Sequence, residues 1–344
     1  MPLYLKIGLA VAAALVVSFA ATPAVKRLAQ RVGAIDVPKD ERRVHNKPIP
    51  RLGGLAIFIG FLLSVVLFAD ITQQLQGILI GAVIIVIIGV IDDMIQLRAL
   101  IKFLIQIVAA LVAVSFGVVI DTFTNPFTLS ASHYIHLNSL SVPITVIWIV
   151  AITNSVNLID GLDGLAAGVS IISSIVMLVI SLMISDINVA VVMAALTGAC
   201  LGFLPHNFNP AKIFMGDTGA LLLGYILATM SILGLFKLYA LLSFAAPFLV
   251  LALPLVDTSF AFLRRLLKGK NPMSPDRGHF HHRLLDMGLS QRQAVLIMYS
   301  ISGILGIAAV IVATSDEMRQ LILIAALLIV AIIVFFIYRR KRKK

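Results

Sequence analysis

The stretch Gly77-Ile78-Leu79-Ile80-Gly81-Ala82-Val83-Ile84-Ile85-Val86-Ile87-Ile88-Gly89-Val90-Ile91-Asp92-Asp93 decides the fold class. It has no polar side chain until it ends on two adjacent carboxylates. A helix crossing about 30 Å of hydrocarbon needs about 20 apolar residues, so this run reads as a short membrane span with a polar end. Ten similar runs flank it. The eleven cover roughly 3–24, 52–69, 77–92, 99–120, 141–158, 165–185, 188–205, 217–236, 239–263, 293–313 and 319–338. The composition agrees: of 344 residues 60% are hydrophobic and 12% charged, with a mean hydropathy of +1.06. Soluble domains are nearer half apolar and a quarter charged. This balance excludes a soluble globular enzyme, a disordered chain and a disulfide-stapled domain. The single cysteine, Cys200, lies in an apolar run and reads as a small packing residue.

The first run resembles a signal peptide near Phe19–Ala24. It is too long for one, however, and its charges (Lys26, Arg27, Arg31) follow rather than precede it. It is therefore an uncleaved span. Eleven spans put the termini on opposite sides, and the positive-inside rule orients them. With the C-terminus cytosolic and the N-terminus outside, the inner loops are 25–51, 93–98, 159–164, 206–216, 264–292 and the tail. Counting loop ends, only Lys6, Lys237 and Arg319 of the 27 Lys and Arg then fall outside. The net charge of +11 is thus topology, and nucleic-acid binding is unnecessary. The expectation is a single all-α polytopic domain, 1–344, whose cytosolic loops build the site.

Acidic groups near a membrane are costly and mark function by default. Asp92, Asp93, Asp160, Asp163, Asp217 and Asp257 all fall at the cytosolic edge. A transport pathway would instead gather ionisable groups at the midplane of repeated halves, and no internal repeat is visible. Adjacent carboxylates such as Asp92-Asp93 can bind a divalent cation, take a proton or attack as a nucleophile. Asn154, Asn157, Asp160 and Asp163 repeat every third residue, which places them on one side of a helix or 3₁₀ turn. Asp217, in Asn207-Phe208-Asn209-Pro210-Ala211-Lys212-Ile213-Phe214-Met215-Gly216-Asp217, stands where an N-cap would, and a helix start also suits a phosphate. The cluster Asp276-Arg277-Gly278-His279-Phe280-His281-His282-Arg283 reads as a polyphosphate clamp, with zinc and a solvated basic loop as alternatives. Magnesium suits one or two carboxylates plus substrate phosphates. The chemistry reaches as far as phosphoryl transfer to or from a lipid-borne phosphate.

Ile91-Asp92-Asp93, Asn154–Gly164, Asn207–Gly219 and the Gly278–His282 cluster closely resemble the polyprenyl-phosphate N-acetylhexosamine-1-phosphate transferases, over essentially the whole chain and in order. The resemblance implies eleven spans in a bacterial inner membrane and a cytosolic site. It implies transfer of a sugar 1-phosphate from a UDP-sugar to undecaprenyl phosphate, with release of UMP and use of Mg²⁺ (or Mn²⁺). By position it makes Asp217 a magnesium ligand, with Asp92 as a second. It makes Asp92 or Asp93 the activator of the lipid phosphate or, in an older scheme, the nucleophile. It assigns Asn157, Asp160, Gly161, Leu162, Asp163, Asn207 and Phe214 to the nucleotide-sugar, and His279, His281 and His282 to its diphosphate side. Lys102, with Lys47 and Arg51 of the basic loop, falls to the lipid phosphate. A homodimer is compatible with it.

Two departures separate the branches of this family. The peptidoglycan branch, which transfers phospho-MurNAc-pentapeptide, typically has Pro-Phe-His-His-His and Thr-Met-Gly-Gly. This chain has Gly278-His279-Phe280-His281-His282 and Arg51-Leu52-Gly53-Gly54. It is similar to the branch that uses UDP-GlcNAc to begin wall teichoic acid or a related surface polymer. The peptidoglycan enzyme and, in another class, a transporter of anionic or lipid-linked substrates are the rival readings.

Overall fold

The computed structural model describes residues 1–38, 47–124, 134–235, 245–267, 269 and 279–314. The helices are α1 (Leu3–Arg31), α2 (Gly53–Phe68), α3 (Gln73–Ile95), α4 (Ala99–Ser115), α5 (Ser141–Ile159), α6 (Leu165–Met183), α7 (Ile187–Asn207), α8 (Gly216–Gly234), α9 (Ala245–Val250), α10 (Ala252–Leu267), α11 (Phe280–Asp286) and α12 (Gln291–Thr314). Seven of them (α1, α3, α5, α6, α7, α8 and α12) are long and apolar enough to cross a membrane; α2 and α4 are apolar but shorter. The run expected at 319–338 lies outside the described residues, as does 239–244 of the ninth. Two features depart from an all-helical chain. A two-stranded antiparallel ribbon pairs β1 (Ile35–Asp36) with β2 (Ile49–Pro50), and another pairs β3 (Thr122–Thr124) with β4 (Tyr134–His136).

The expected ninth run is not one helix. It is α9 and α10, interrupted at Leu251. Pro254 has no N–H to give the carbonyl four residues back, and a spanning segment cannot leave that group bare. Here the Val250 carbonyl accepts instead from the Ser173 hydroxyl of α6 at 3.0 Å.

The bundle is built around α8, in which every residue from Thr218 to Gly234 is buried. Close packing in lipid needs small residues where helices meet. At Gly54 of α2 a Cβ would run into the backbone of Gly219, at Gly89 of α3 into Thr218, and at Gly224 of α8 into Thr153 of α5. The opposite property marks the perimeter: Ile87, Leu104, Ile147 and Ile304 are exposed. Such a surface would associate in water but is matched to hydrocarbon.

Successive helices from α1 to α8 run up and down, so the C-terminal ends of α1, α3, α5 and α7 and the N-terminal ends of α2, α4, α6 and α8 share one end of the bundle. The polar connections lock that end. The chain at Pro50–Gly54 lies beside Phe214–Met215: Phe214 N donates to Pro50 O at 2.8 Å, Gly53 N to Phe214 O at 2.9 Å and Gly54 N to Met215 O at 2.8 Å. At the other end Asp70 meets Lys6 at 3.8 Å and exchanges hydrogen bonds with Asn188.

Candidate active site

The two aspartates that end α3 have separate tasks. Asp93, its side chain only 1% exposed, reaches the first turn of α8. Its Oδ1 accepts from Asp217 N at 3.0 Å, and its Oδ2 accepts from Thr218 N at 3.1 Å and Thr218 Oγ1 at 2.6 Å. A helix start leaves four N–H groups unpaired, and Asp93 supplies the acceptor for two of them from another helix. This corrects the expectation that Asp217 stands at a capping position. The helix opens at Gly216, with φ +71°, where any Cβ would strike the Asp93 carboxyl. Asp217 is thereby released to face inward.

Asp92 turns the other way. Its Oδ1 accepts from Leu97 N at 2.6 Å and its Oδ2 from Lys102 Nζ at 2.9 Å. The same ammonium donates to Asp217 Oδ2 at 2.6 Å, while Asn157 Nδ2 donates to Asp217 Oδ1 at 3.2 Å. Residues from α3, α4, α5 and α8 thus converge on two carboxylates that share one ammonium. Arg51 joins from the loop before α2, its Nε donating to Asp93 O at 3.1 Å.

Beside this cluster opens a cleft of about 280 Å³. Among the residues singled out in the sequence, Arg51, Asp93, Asn157, Asp160, Gly161, Leu162, Asp163, Asn207, Phe214, Asp217 and His282 line it. Asp92 and Lys102 adjoin through Asp217. Lys47 is exposed and is not among the lining residues.

Two of the lining residues also knit the walls. Asn207 accepts from Gly164 N at 3.0 Å and donates to Ile213 O at 3.0 Å. Asp163 Oδ2 accepts from Asn209 Nδ2 and Ala211 N, both at 3.0 Å. His279 and His281 are buried behind His282 rather than lining the cleft. His279 and His281 stack with centroids 5.7 Å apart and planes 10° off parallel, and His281 meets His282 at 4.3 Å. Burial, with the neighbouring His282 adding to it, pushes His281 down to about 3, so its ring is neutral. Gly161 is explained by this packing, because a Cβ there would meet the His281 ring.

Sequence reasoning missed Asp36 of β1 and Gln291 of α12, which also line the cleft. It missed Arg292, whose Nε and Nη2 donate to Asn209 O at 3.0 and 2.8 Å, and Tyr299, whose hydroxyl bonds Gly164 O. No local pattern marks them: Gln291 and Arg292 lie 82 and 83 positions from Asn209, which they meet, and Tyr299 lies 135 from Gly164.

The charge of the cleft is unbalanced. Asp36, Asp93, Asp160, Asp163 and Asp217 line it against Arg51 and His282. Desolvation, with the Asp217, Asp93 and Asp163 carboxylates adding to it, pushes Asp160 up to about 8. Like charges held this close raise one another's pKa, and an added cation would lower it.

The family model for glycosyl transferase family 4 matches residues 75–235. Over 295 residues the chain is 44% identical to the "Probable undecaprenyl-phosphate N-acetylglucosaminyl 1-phosphate transferase" of Bacillus subtilis (strain 168), covering 86% of this chain and 81% of the relative. The chain belongs to glycosyl transferase family 4. Within that family it is also 39% identical over 328 residues to the "Decaprenyl-phosphate N-acetylglucosaminephosphotransferase" of Mycolicibacterium smegmatis, covering 86% and 79% of the two chains. Its identity to the "Phospho-N-acetylmuramoyl-pentapeptide-transferase" of Staphylococcus aureus (strain MSSA476) is 33% over 282 residues, 75% and 84% of the two chains. The family 4 match runs from Leu75 in α3 to Leu235 just past α8, and so spans Asp92, Asp93, Lys102, Asn157 and Asp217.

Proposed function

We propose that this family 4 protein transfers GlcNAc-1-phosphate from UDP-GlcNAc to undecaprenyl phosphate, giving undecaprenyl-diphosphate-GlcNAc and UMP. The observation that carries the reading is the Asp92–Lys102–Asp217 cluster set against a nucleotide-sized cleft. The relatives named for N-acetylglucosaminyl 1-phosphate transfer support it. An oxygen of the lipid phosphate attacks the donor phosphorus that bears the sugar, and the bond from that phosphorus to UMP breaks. One diphosphate linkage replaces another, so the step is near isoenergetic.

Both substrates are anionic, and the cleft is already net negative. Its residues therefore suit a divalent cation, and Asp217 would hold it, because magnesium takes one or two carboxylates and completes its shell with phosphates and water. Bound Mg²⁺ would supply charge neutralisation of the diphosphate. The protein's own groups do the rest. Lys102, from the lipid-facing helix α4, attracts the acceptor phosphate, and Asp92 takes its proton and orients it. Asn157 fixes the Asp217 carboxylate, and the wall 160–163 holds the nucleotide. Catalysis is then mostly positioning and charge stabilisation. Purified protein with both substrates should release UMP only with Mg²⁺ or Mn²⁺. Full turnover in excess chelator would remove the cation from the reading.

We place the protein in a bacterial inner membrane with eleven spans, the N-terminus outside and the C-terminus and active site cytosolic. The surface polymer served is wall teichoic acid or a related one. A tag at Asn271 should report the cytosol and one at Asn125 the outside; both positions lie outside the described residues. The reverse pattern would overturn the siting.

A further inference from the structure

Asp257 has no task in the chemistry above, yet it is a buried carboxylate near the polar end of the bundle. It sits on α10, 8% exposed, and reaches the start of α11. Its Oδ1 accepts from Phe280 N at 2.7 Å and its Oδ2 lies 3.0 Å from His279 Nδ1. An ionised carboxylate only accepts, so the proton of His279 is on Nδ1 and its tautomer is set. The fixed ring of His279 stacks on His281, and His281 in turn lies against Gly161 of the cleft wall. Every link in this chain is buried or in van der Waals contact. Gly161 leaves no side chain to absorb a shift.

We propose that Asp257 is a positioning residue for the nucleotide-sugar donor: through His279 and His281 it braces the wall 159–164 and sets the height of His282 at the cleft. The donor part rests on the function proposed above; the brace itself does not. Asp257→Asn separates the two jobs of the carboxylate. The amide oxygen can still accept from Phe280 N and keep α11 in place. The amide nitrogen, however, forces His279 into the other tautomer.

The test uses the full chain in detergent or nanodiscs. For Asp257→Asn we expect the donor KM to rise about tenfold, the scale of one charge-assisted hydrogen bond, with the acceptor KM within about twofold of wild type. A merely structural role would move both constants or neither. Combining Asp257→Asn with His279→Ala should do no more damage than His279→Ala alone, because the amide oxygen keeps the Phe280 bond and what remains acts through that ring. Amide hydrogen exchange in 159–164 should rise in Asp257→Ala, or in His279→Ala if the former does not fold. An unchanged donor KM, equal rises in both KM values, or multiplicative effects in the double variant would overturn the proposal. If wild type releases no UMP from UDP-GlcNAc, the donor reading fails. Exchange then decides the brace alone: faster exchange at 159–164 sustains it, and unchanged exchange ends it.

Discussion

Replacing Asp217 by Asn should cost about 10³-fold or more in turnover, the scale of losing a principal charge-stabilising group from an enzyme site, while the protein inserts and folds normally. The second half of that expectation follows from the division of labour in the aspartate pair. The start of α8 is capped by Asp93 through the backbone N–H groups of Asp217 and Thr218, and a change in the Asp217 side chain leaves those bonds in place. What Asp217→Asn removes is one of the two carboxylates that share Lys102 and the principal anchor proposed for a cation. Asp93→Ala makes the contrast. It strips three donors of their acceptor, two of them at a buried helix start, and each stranded group costs roughly 1–3 kcal/mol. Asp93→Ala should therefore lower the thermal stability in detergent as well as the turnover. Near wild-type UMP release by Asp217→Asn, or a fall in its melting temperature matching that of Asp93→Ala, would make Asp217 structural.

The other large effect concerns the sugar. UDP-GlcNAc leaves a free 3-hydroxyl, whereas the peptidoglycan donor carries a lactyl-peptide there. A site shaped for the smaller donor excludes the larger one, and hydrogen bonds to the hydroxyl sharpen the choice. A site built to bond a substrate hydroxyl can reject an analogue lacking it by about 10⁴-fold. Arg51 and His282, from the two motifs that depart from the peptidoglycan pattern, both line the cleft. Assayed side by side with undecaprenyl phosphate, UDP-GlcNAc should be turned over and UDP-MurNAc-pentapeptide should give no detectable product. Preference for the pentapeptide donor would move the protein to the peptidoglycan branch. Preference for UDP-GalNAc would change the sugar and leave the mechanism.

The seven helices long and apolar enough to cross a membrane were legible in the sequence because lipid imposes a local rule: a segment must be apolar over its length and satisfy its own backbone. Runs such as Gly77–Ile91 obey it without reference to any other part of the chain. The gathering of Asp92, Asp160, Asp163 and Asp217 at one end was legible for a related reason, since alternate crossings bring every second connection to the same side. The pairings were not legible. Nothing near Asp93 says that it caps a helix beginning more than 120 positions later, or that Asp92 beside it faces Lys102 instead. The same holds for Ser173, which serves the carbonyl that Pro254 leaves bare, and for Asp257 and His279. A hydrogen bond is decided by which two groups lie within about 3 Å of each other. In this bundle that is set by how closely Gly54, Gly89 and Gly224 let neighbouring helices approach α8, a property of helix pairs that only the tertiary structure fixes.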